Sequence, residues 1–296
     1  MTGNIISPQG PPVGLIGVGL VGTALAERLL AAGFQVTGYD TDPAQLEALR
    51  KLGGRPAASP QEAAAAPRLL LSLPTSSTGA QVLSQIEPHL APGAIVLDTT
   101  TGDPAEIASF GARLHSRGVH YLDSTVGGSS RLVREGTAIY LCGGERQAFN
   151  ACHDLFQAFG GRAFHVGPCG AGARMKLVLN LVLGLNRAVL AEGLAYAIAE
   201  GIDPAAALEI LKAGPAYSRA MDAKGQKMLA RDYSVEARLS QHLKDVRLIL
   251  QTGAQNGARL PLSAVHRQLL EQAESAGFGA ADNSAIFEAF TQDHPE

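Results

Sequence analysis

The sequence predicts an α/β fold in which an open, doubly wound and mostly parallel sheet is followed by an all-α domain. Two observations carry that prediction. From residue 13 to about 166, short apolar runs (VGLIGV, QVTGYD, LLLSLP, AIVLDTT, HYLDSTV, TAIYLC and AFHVG) alternate with amphipathic stretches. That is the pattern of strands separated by helices that cover both faces of a sheet. After Gly172 the pattern changes: residues 173–199 hold no proline and only two glycines, and the remainder is punctuated by Gly201, Gly214-Pro215 and Gly253. One long helix over about 173–200 and further helices after it are expected. The expected domains are therefore residues 1–172 and 173–296.

Composition narrows the class. A chain of 296 residues suits two domains. With 46% hydrophobic residues, 34 glycines and no tryptophan, it reads as a glycine-punctuated globular protein. The net charge is −3 and Lys and Arg are scattered, so nucleic acid is not an expected partner. Cys142, Cys152 and Cys169 are odd in number and lack CxxC spacing, which points to a reducing compartment, the cytoplasm. Residues 1–12 lack the basic start and apolar run of a signal peptide and read as a loose tail. The apolar stretch 177–185 is interrupted by Asn180 and followed by Arg187, short of the roughly 20 residues a bilayer requires. It is expected to be a buried helix rather than a membrane span. His115, His120, His153 and His165 show no regular ligand spacing, so no metal site is expected.

The first strand, VGLIG, leads directly into Gly17-Val18-Gly19-Leu20-Val21-Gly22 and then into the helical stretch TALAERLLAAG. In that context the first glycine permits a tight turn, the second admits a pyrophosphate to the backbone, and the third lets helix and strand pack closely. The helix N-terminus offers free N–H groups to the anion. Gly17, Gly19, Leu20, Val21 and Gly22 are thus candidate cofactor contacts in a Rossmann-type unit. The second strand ends in Asp40, eighteen residues after Gly22. A carboxylate there accepts hydrogen bonds from the adenosine ribose and repels a 2′-phosphate, so NAD is expected rather than NADP. The alternative is a structural turn, with Asp40 a surface residue or the N-cap of the next helix.

Later strands also end in polar residues: Pro74-Thr75-Ser76, Thr99-Thr100-Thr101 and Asp123-Ser124-Thr125. Ligands sit beyond the carboxyl ends of such strands, so these loops are expected to share one crevice. The same residues also favour helix N-caps for local reasons, and both readings stand. On the long helix, Lys176 and Asn180 are four residues apart and share a face, with Gly172 and Gly184 on the same row. An ordinary lysine snorkels to solvent. Beside a nicotinamide, a lysine in an apolar crevice can instead take or return the hydroxyl proton that accompanies hydride transfer.

Taken in order, GLIGVGLVG, LSLPTSST, DTTTGDP, DSTVGGSS with EGTAIYLCGG, GAGARMKLVLN, HLKDVRLIL and DNSA resemble the 3-hydroxyisobutyrate dehydrogenase (β-hydroxyacid dehydrogenase) family, related to 6-phosphogluconate dehydrogenase, over residues 13 to about 290. The resemblance implies a hydride transfer between NAD and a small 3-hydroxy acid or its semialdehyde. It implies that Lys176 is the catalytic lysine, that Asn180 is the asparagine beside it, and that Lys244 reaches the cofactor or substrate from the helical domain. Leu73, Pro74, Thr78 and Thr101 match cofactor contacts.

Residues 123–129 match the family's substrate loop, usually DAPVSGG, whose amides and serine hold a carboxylate. This makes Ser124, Thr125, Gly127 and Gly128 candidate substrate contacts. The chain departs from the pattern here: the family's serine falls on Gly127, and the second glycine of its pair on Ser129. A backbone nest still serves an anion, and Ser124, Thr125 and Ser129 are the hydroxyls at hand. Leu179 stands where many relatives have a further asparagine. Arg131 is read as an exposed arginine rather than a carboxylate clamp.

The rivals are an imine reductase-like or semialdehyde reductase of the same fold, and a catalytically silent dinucleotide-binding protein. Imine reductases typically lack this lysine, and Lys176, Asn180 and Lys244 together favour a dehydrogenase. An apolar helical domain leaves exposed faces on a monomer, so a homodimer or homotetramer is expected.

Overall fold

The computed structural model describes residues 10–291, and the expected N-terminal tail lies largely outside the described residues. Contacts divide the chain into two compact units, Met1–Lys176 and Leu177–Glu296.

The first unit is built on eight strands: β1 (Pro12–Ile16), β2 (Gln35–Tyr39), β3 (Arg55–Pro56), β4 (Arg68–Leu71), β5 (Ile95–Asp98), β6 (His120–Gly127), β7 (Ile139–Gly143) and β8 (Arg162–Gly167). Their order is β3-β2-β1-β4-β5-β6-β7-β8, and every neighbouring pair is parallel except β6 with β7. Seven of them fall on the apolar runs of the sequence. The two-residue β3 has no such run and only edges the sheet. The strand order reverses between β1 and β4, the switch point at which open α/β sheets bind ligands.

Central strands are continuous apolar runs because helices cover both faces. Side chains alternate between two cores. Val13, Leu15, Leu70 and Leu97 enter one, with Ala24, Leu25 and Leu29 of the helix Leu20–Ala31. Ile16, Leu69, Leu71 and Val96 enter the other. The strand β6 outruns its parallel neighbour: Asp123 pairs with Asp98 at the end of β5, and residues 124–127 pair onward with β7.

The long helix runs Ala171–Ala199, two residues earlier than expected at its start, and belongs to the first unit as far as Lys176. It is, among the described residues, the one helix long and apolar enough to cross a membrane. Ala188, Leu190, Ala191 and Leu194 are buried in the core of the second unit, whereas Val178, Val182 and Val189 are exposed, so packing within the unit accounts for part of that composition. The helices Pro204–Ala213, Arg219–Leu229, Leu239–Gln255 and Pro261–Ala273 follow. Gly253 was expected to break a helix and instead lies within Leu239–Gln255. A Cβ there would sit 2.5 Å from Leu260 Cδ1, so its bareness serves close packing.

Candidate active site

The glycine loop after β1 is bare where it must be. Gly17 has φ +93°, and a Cβ on it would lie 2.2 Å from the carbonyl oxygen of Ser72, while a Cβ on Gly22 would lie 2.0 Å from that of Gly17. Gly19 faces open space. The helix Leu20–Ala31 begins there with no side-chain cap and no acidic residue in its first turn, and Leu20 is exposed. Its first amides are open to an anion, and this cradle fits a dinucleotide pyrophosphate. The Asp40 carboxylate accepts hydrogen bonds from Val18 N (2.7 Å) and Asp42 N (2.9 Å), tying the end of β2 to the loop. The N-cap of the following helix is Asp42. A carboxylate has about four acceptor sites, so two amides leave capacity for ribose hydroxyls.

At the ends of β4 and β5 the local and ligand readings coexist. Thr75 caps the helix Ser76–Ile86 by accepting from Thr78 N at 3.1 Å, and the two hydroxyls lie 3.0 Å apart. Leu73 N donates to Thr100 Oγ1 at 3.2 Å, which joins the two loops. Pro74 is exposed, and Thr78 and Thr101 are half-buried. Leu73, Pro74 and Thr101 therefore stand on the loops after β4 and β5, and Thr78 in the first turn of the helix Ser76–Ile86.

Lys176 Nζ donates to the carbonyl oxygen of Val126 at 2.6 Å, which places the amine next to the turn at Gly127 and Gly128. Ser124 and Thr125, expected as substrate contacts, do not face solvent. Both are buried. The Ser124 hydroxyl is enclosed with no hydrogen-bond partner among the described residues, and Thr125 Oγ1 donates to the carbonyl oxygen of Gly172 at 3.2 Å. Ser129 Oγ accepts from Leu132 N at 3.4 Å as the N-cap of Ser130–Arg134. Ser129 is half-buried, and the turn at Gly127 and Gly128 offers backbone beside it. Gly128, at φ +156°, is exposed. Arg131 is exposed and pairs with Glu135 at 2.7 Å. Asp123, expected at the crevice, points inward onto the start of the long helix.

In the helical unit, Asn180 Nδ2 donates to Asp245 Oδ2 at 2.9 Å, and Lys244 Nζ lies 3.4 Å from Asp245 Oδ1. One buried carboxylate thus holds both residues singled out in this half. Gly184 is bare because a Cβ there would lie 2.4 Å from His242 Nε2. The His242 and His266 rings are 5.2 Å apart. Burial and the nearby Arg187 cation push His266 down to about 4. Among the described residues no group of three or more His, Cys, Asp or Glu is placed to hold a metal ion.

Residues 12–167 match the family model described as the NAD binding domain of 6-phosphogluconate dehydrogenase, and residues 170–290 match the one described as NAD-binding of NADP-dependent 3-hydroxyisobutyrate dehydrogenase. The chain belongs to the 3-hydroxyisobutyrate dehydrogenase family. Membership brings NAD(P)-dependent oxidoreductase chemistry on hydroxy acids. The chain is 29% identical to L-threonate dehydrogenase of Cupriavidus necator, over 94% of this chain and 95% of that one. It is 28% identical to the cytokine-like nuclear factor N-PAC of Xenopus tropicalis, over 98% of this chain and 55% of that protein. Among solved structures, 3-hydroxyisobutyrate dehydrogenase from Salmonella typhimurium superposes with a TM-score of 0.86 at 25% identity, covering 94% of this chain and 99% of that one.

Two groups escaped the sequence reading of this family member. Asp245 sits beside Lys244 in HLKDV, but its bond to Asn180 spans 65 positions, which no local spacing announces. The Val126 carbonyl is main chain and leaves no residue-type signal at all.

Proposed function

We propose that this chain is an NAD-dependent dehydrogenase of a small 3-hydroxy acid, interconverting it with the corresponding semialdehyde. The observation that carries the reading is the Lys176 Nζ–Val126 O hydrogen bond of 2.6 Å at the end of β6. When bound, the nicotinamide accepts hydride from the alcohol carbon or returns it to the aldehyde. With one N–H held by Val126, the amine form of Lys176 keeps its lone pair for the hydroxyl proton, and the ammonium form gives that proton back. The backbone at Gly127 and Gly128 is assigned to the substrate carboxylate. Asp40 supports NAD over NADP, because a 2′-phosphate beside its carboxylate meets like charge. Asn180 and Lys244 are assigned as substrate and cofactor residues, made rigid by their common partner Asp245.

Two further features support the setting. Cys142, Cys152 and Cys169 are free thiols, in keeping with a reducing cytoplasm. Val178, Val182, Val189 and Tyr196 lie at helical spacing on the long helix and are each more than half exposed, which suits a homo-oligomer.

The test is initial-rate measurement with NAD and NADP in parallel, on a panel of 3-hydroxy acids and their semialdehydes, for wild type and Lys176→Ala. Turnover with NAD that collapses in the variant while cofactor binding persists is the expected result. A wild type inactive across the panel in both directions overturns the proposal.

A further inference from the structure

We propose that Asp123 is the positioning residue for Lys176, and that its ionised carboxylate holds the first turn of the long helix against β6. This rests on the reading of Lys176 as the proton-transfer group. Asp123 is fully buried. Its Oδ1 accepts from Gly170 N at 2.9 Å and its Oδ2 from Ala173 N at 2.7 Å, so each carboxylate oxygen satisfies one amide at the start of the helix Ala171–Ala199. One turn further on, Lys176 returns to the same strand through Val126. Helix and strand are therefore fastened at two points, and the catalytic amine is on the second.

The fit is close. A Cβ on Gly143 would lie 2.4 Å from Asp123 Oδ1, and one on Gly172 would lie 2.7 Å from Oδ2 and 2.4 Å from the carbonyl oxygens of Asp123 and Leu141. Glycine at both positions lets the carboxylate and the helix share that space. The Thr125 hydroxyl adds a third tie, to the carbonyl oxygen of Gly172.

Two acceptor oxygens are required for two amides. A protonated carboxyl keeps one good acceptor and turns the other oxygen into a donor facing an N–H, so one amide loses its partner. The titratable groups that face Asp123 are Asp98 on β5, Tyr121 on its own strand, Cys142 on β7 and Cys169 ahead of the helix. Each is acidic or neutral, and burial together with Asp98 pushes Asp123 up to about 6. Asp98 is itself raised by burial, while its oxygens accept from Thr100 N at 2.8 Å and the Tyr121 hydroxyl at 2.5 Å. As the pH falls through about 6, protonation therefore costs the helix start one of its two amide contacts with Asp123, while relieving the buried charge that destabilises the closed fold.

Asp123→Asn separates the consequences, since it keeps the shape and one acceptor. Expected for the variant are an unchanged KM for cofactor, a kcat lowered by about 10², and loss of the acid limb near pH 6 from the rate profile. Hydrogen exchange of the peptide over residues 168–177, corrected for intrinsic rates, should be faster than wild type at pH 7.5 and independent of pH between 5 and 7.5. Wild-type kcat and wild-type exchange in the variant overturn the proposal. Should Asp123→Asn not fold, wild type alone decides: protection of that peptide must change between pH 7.5 and 5, and constant protection is the overturning result. Exchange requires no turnover, so an inactive wild type with pH-dependent protection sinks the reading of Lys176 but not the carboxylate's hold on the helix. An active wild type with indifferent exchange and rate sinks this proposal alone.

Discussion

Asn180 and Asp245, 65 positions apart, meet through a 2.9 Å hydrogen bond from the amide Nδ2 to the carboxylate Oδ2. Because the carboxylate can only accept, the bond decides which end of the Asn180 amide is left over: its oxygen remains an acceptor for a hydroxyl. Asp245→Ala removes that constraint and a charge partner of Lys244 together. The expected result is a KM for hydroxy acid raised about tenfold, the loss of roughly one charge-assisted hydrogen bond, with a smaller change in kcat. Steady-state kinetics check it, and an unchanged KM would mean that Asn180 does not contact the substrate.

Gly127 occupies the position of the family's loop serine and, unlike Gly128, is not in the positive-φ region. A serine fits the backbone there without left-handed strain. Gly127→Ser is expected to lower the KM for small 3-hydroxy acids by up to about tenfold, one hydrogen bond to a carboxylate. A higher KM on the same panel would indicate a substrate that uses the space the glycine leaves.

Gly17→Ala tests the cofactor cradle. The new methyl would require a residue at φ +93° and would approach the Ser72 carbonyl oxygen to 2.2 Å, so the loop must shift. Titration calorimetry should show NAD binding weakened at least about tenfold, in line with a displaced pyrophosphate site. Unaltered affinity would place the cofactor elsewhere.

The helical unit carries its own acid sensitivity. His266 is buried, and its folded pKa of about 4 lies below the ordinary 6.5. Its neutral form therefore contributes stability that is complete above about 6.5 and lost as the pH falls through about 4. The size is about 3 kcal/mol. His266→Gln stays neutral throughout, so the difference in urea unfolding free energy between wild type and variant should change by that amount between pH 7 and pH 3.5. Asp123 works in the opposite direction. Its folded pKa is raised, so protonation favours the folded state below about 6, which is why the comparison must be made as a difference.

In the same unit, Lys224 and Asp282 are both buried, and Lys224 Nζ lies 2.9 Å from Oδ1. Burial alone would raise Asp282, but Lys224 and the amides of Ala237 and Ser284 hold it down at about 2. Lys224→Met leaves that carboxylate buried without its cation and should cost about 3–5 kcal/mol. Denaturant unfolding measures it, and a loss below about 1 kcal/mol would show that the amides alone suffice.

What the sequence by itself determined is what neighbouring residues decide among themselves. The strand runs, the glycine loop opening a helix, Asp40 at the end of β2 and the proline-free helix after Gly172 are each set within a few residues by side-chain period, permitted φ and capping. Tertiary structure decided what depends on register and on what covers a strand. On β6, Asp123, Ser124 and Thr125 read as a polar strand end open to a ligand. They are interior because β6 runs on past β5, pairs antiparallel with β7 and is covered by the helix that starts at Ala171. Likewise Gly172, Gly184 and Gly253 looked alike as bare positions, and only their neighbours, Asp123, His242 and Leu260, show that each is the gap another group fills. A polar or missing side chain carries no mark of its partner when that partner is tens of residues away, and the fold supplies the partner.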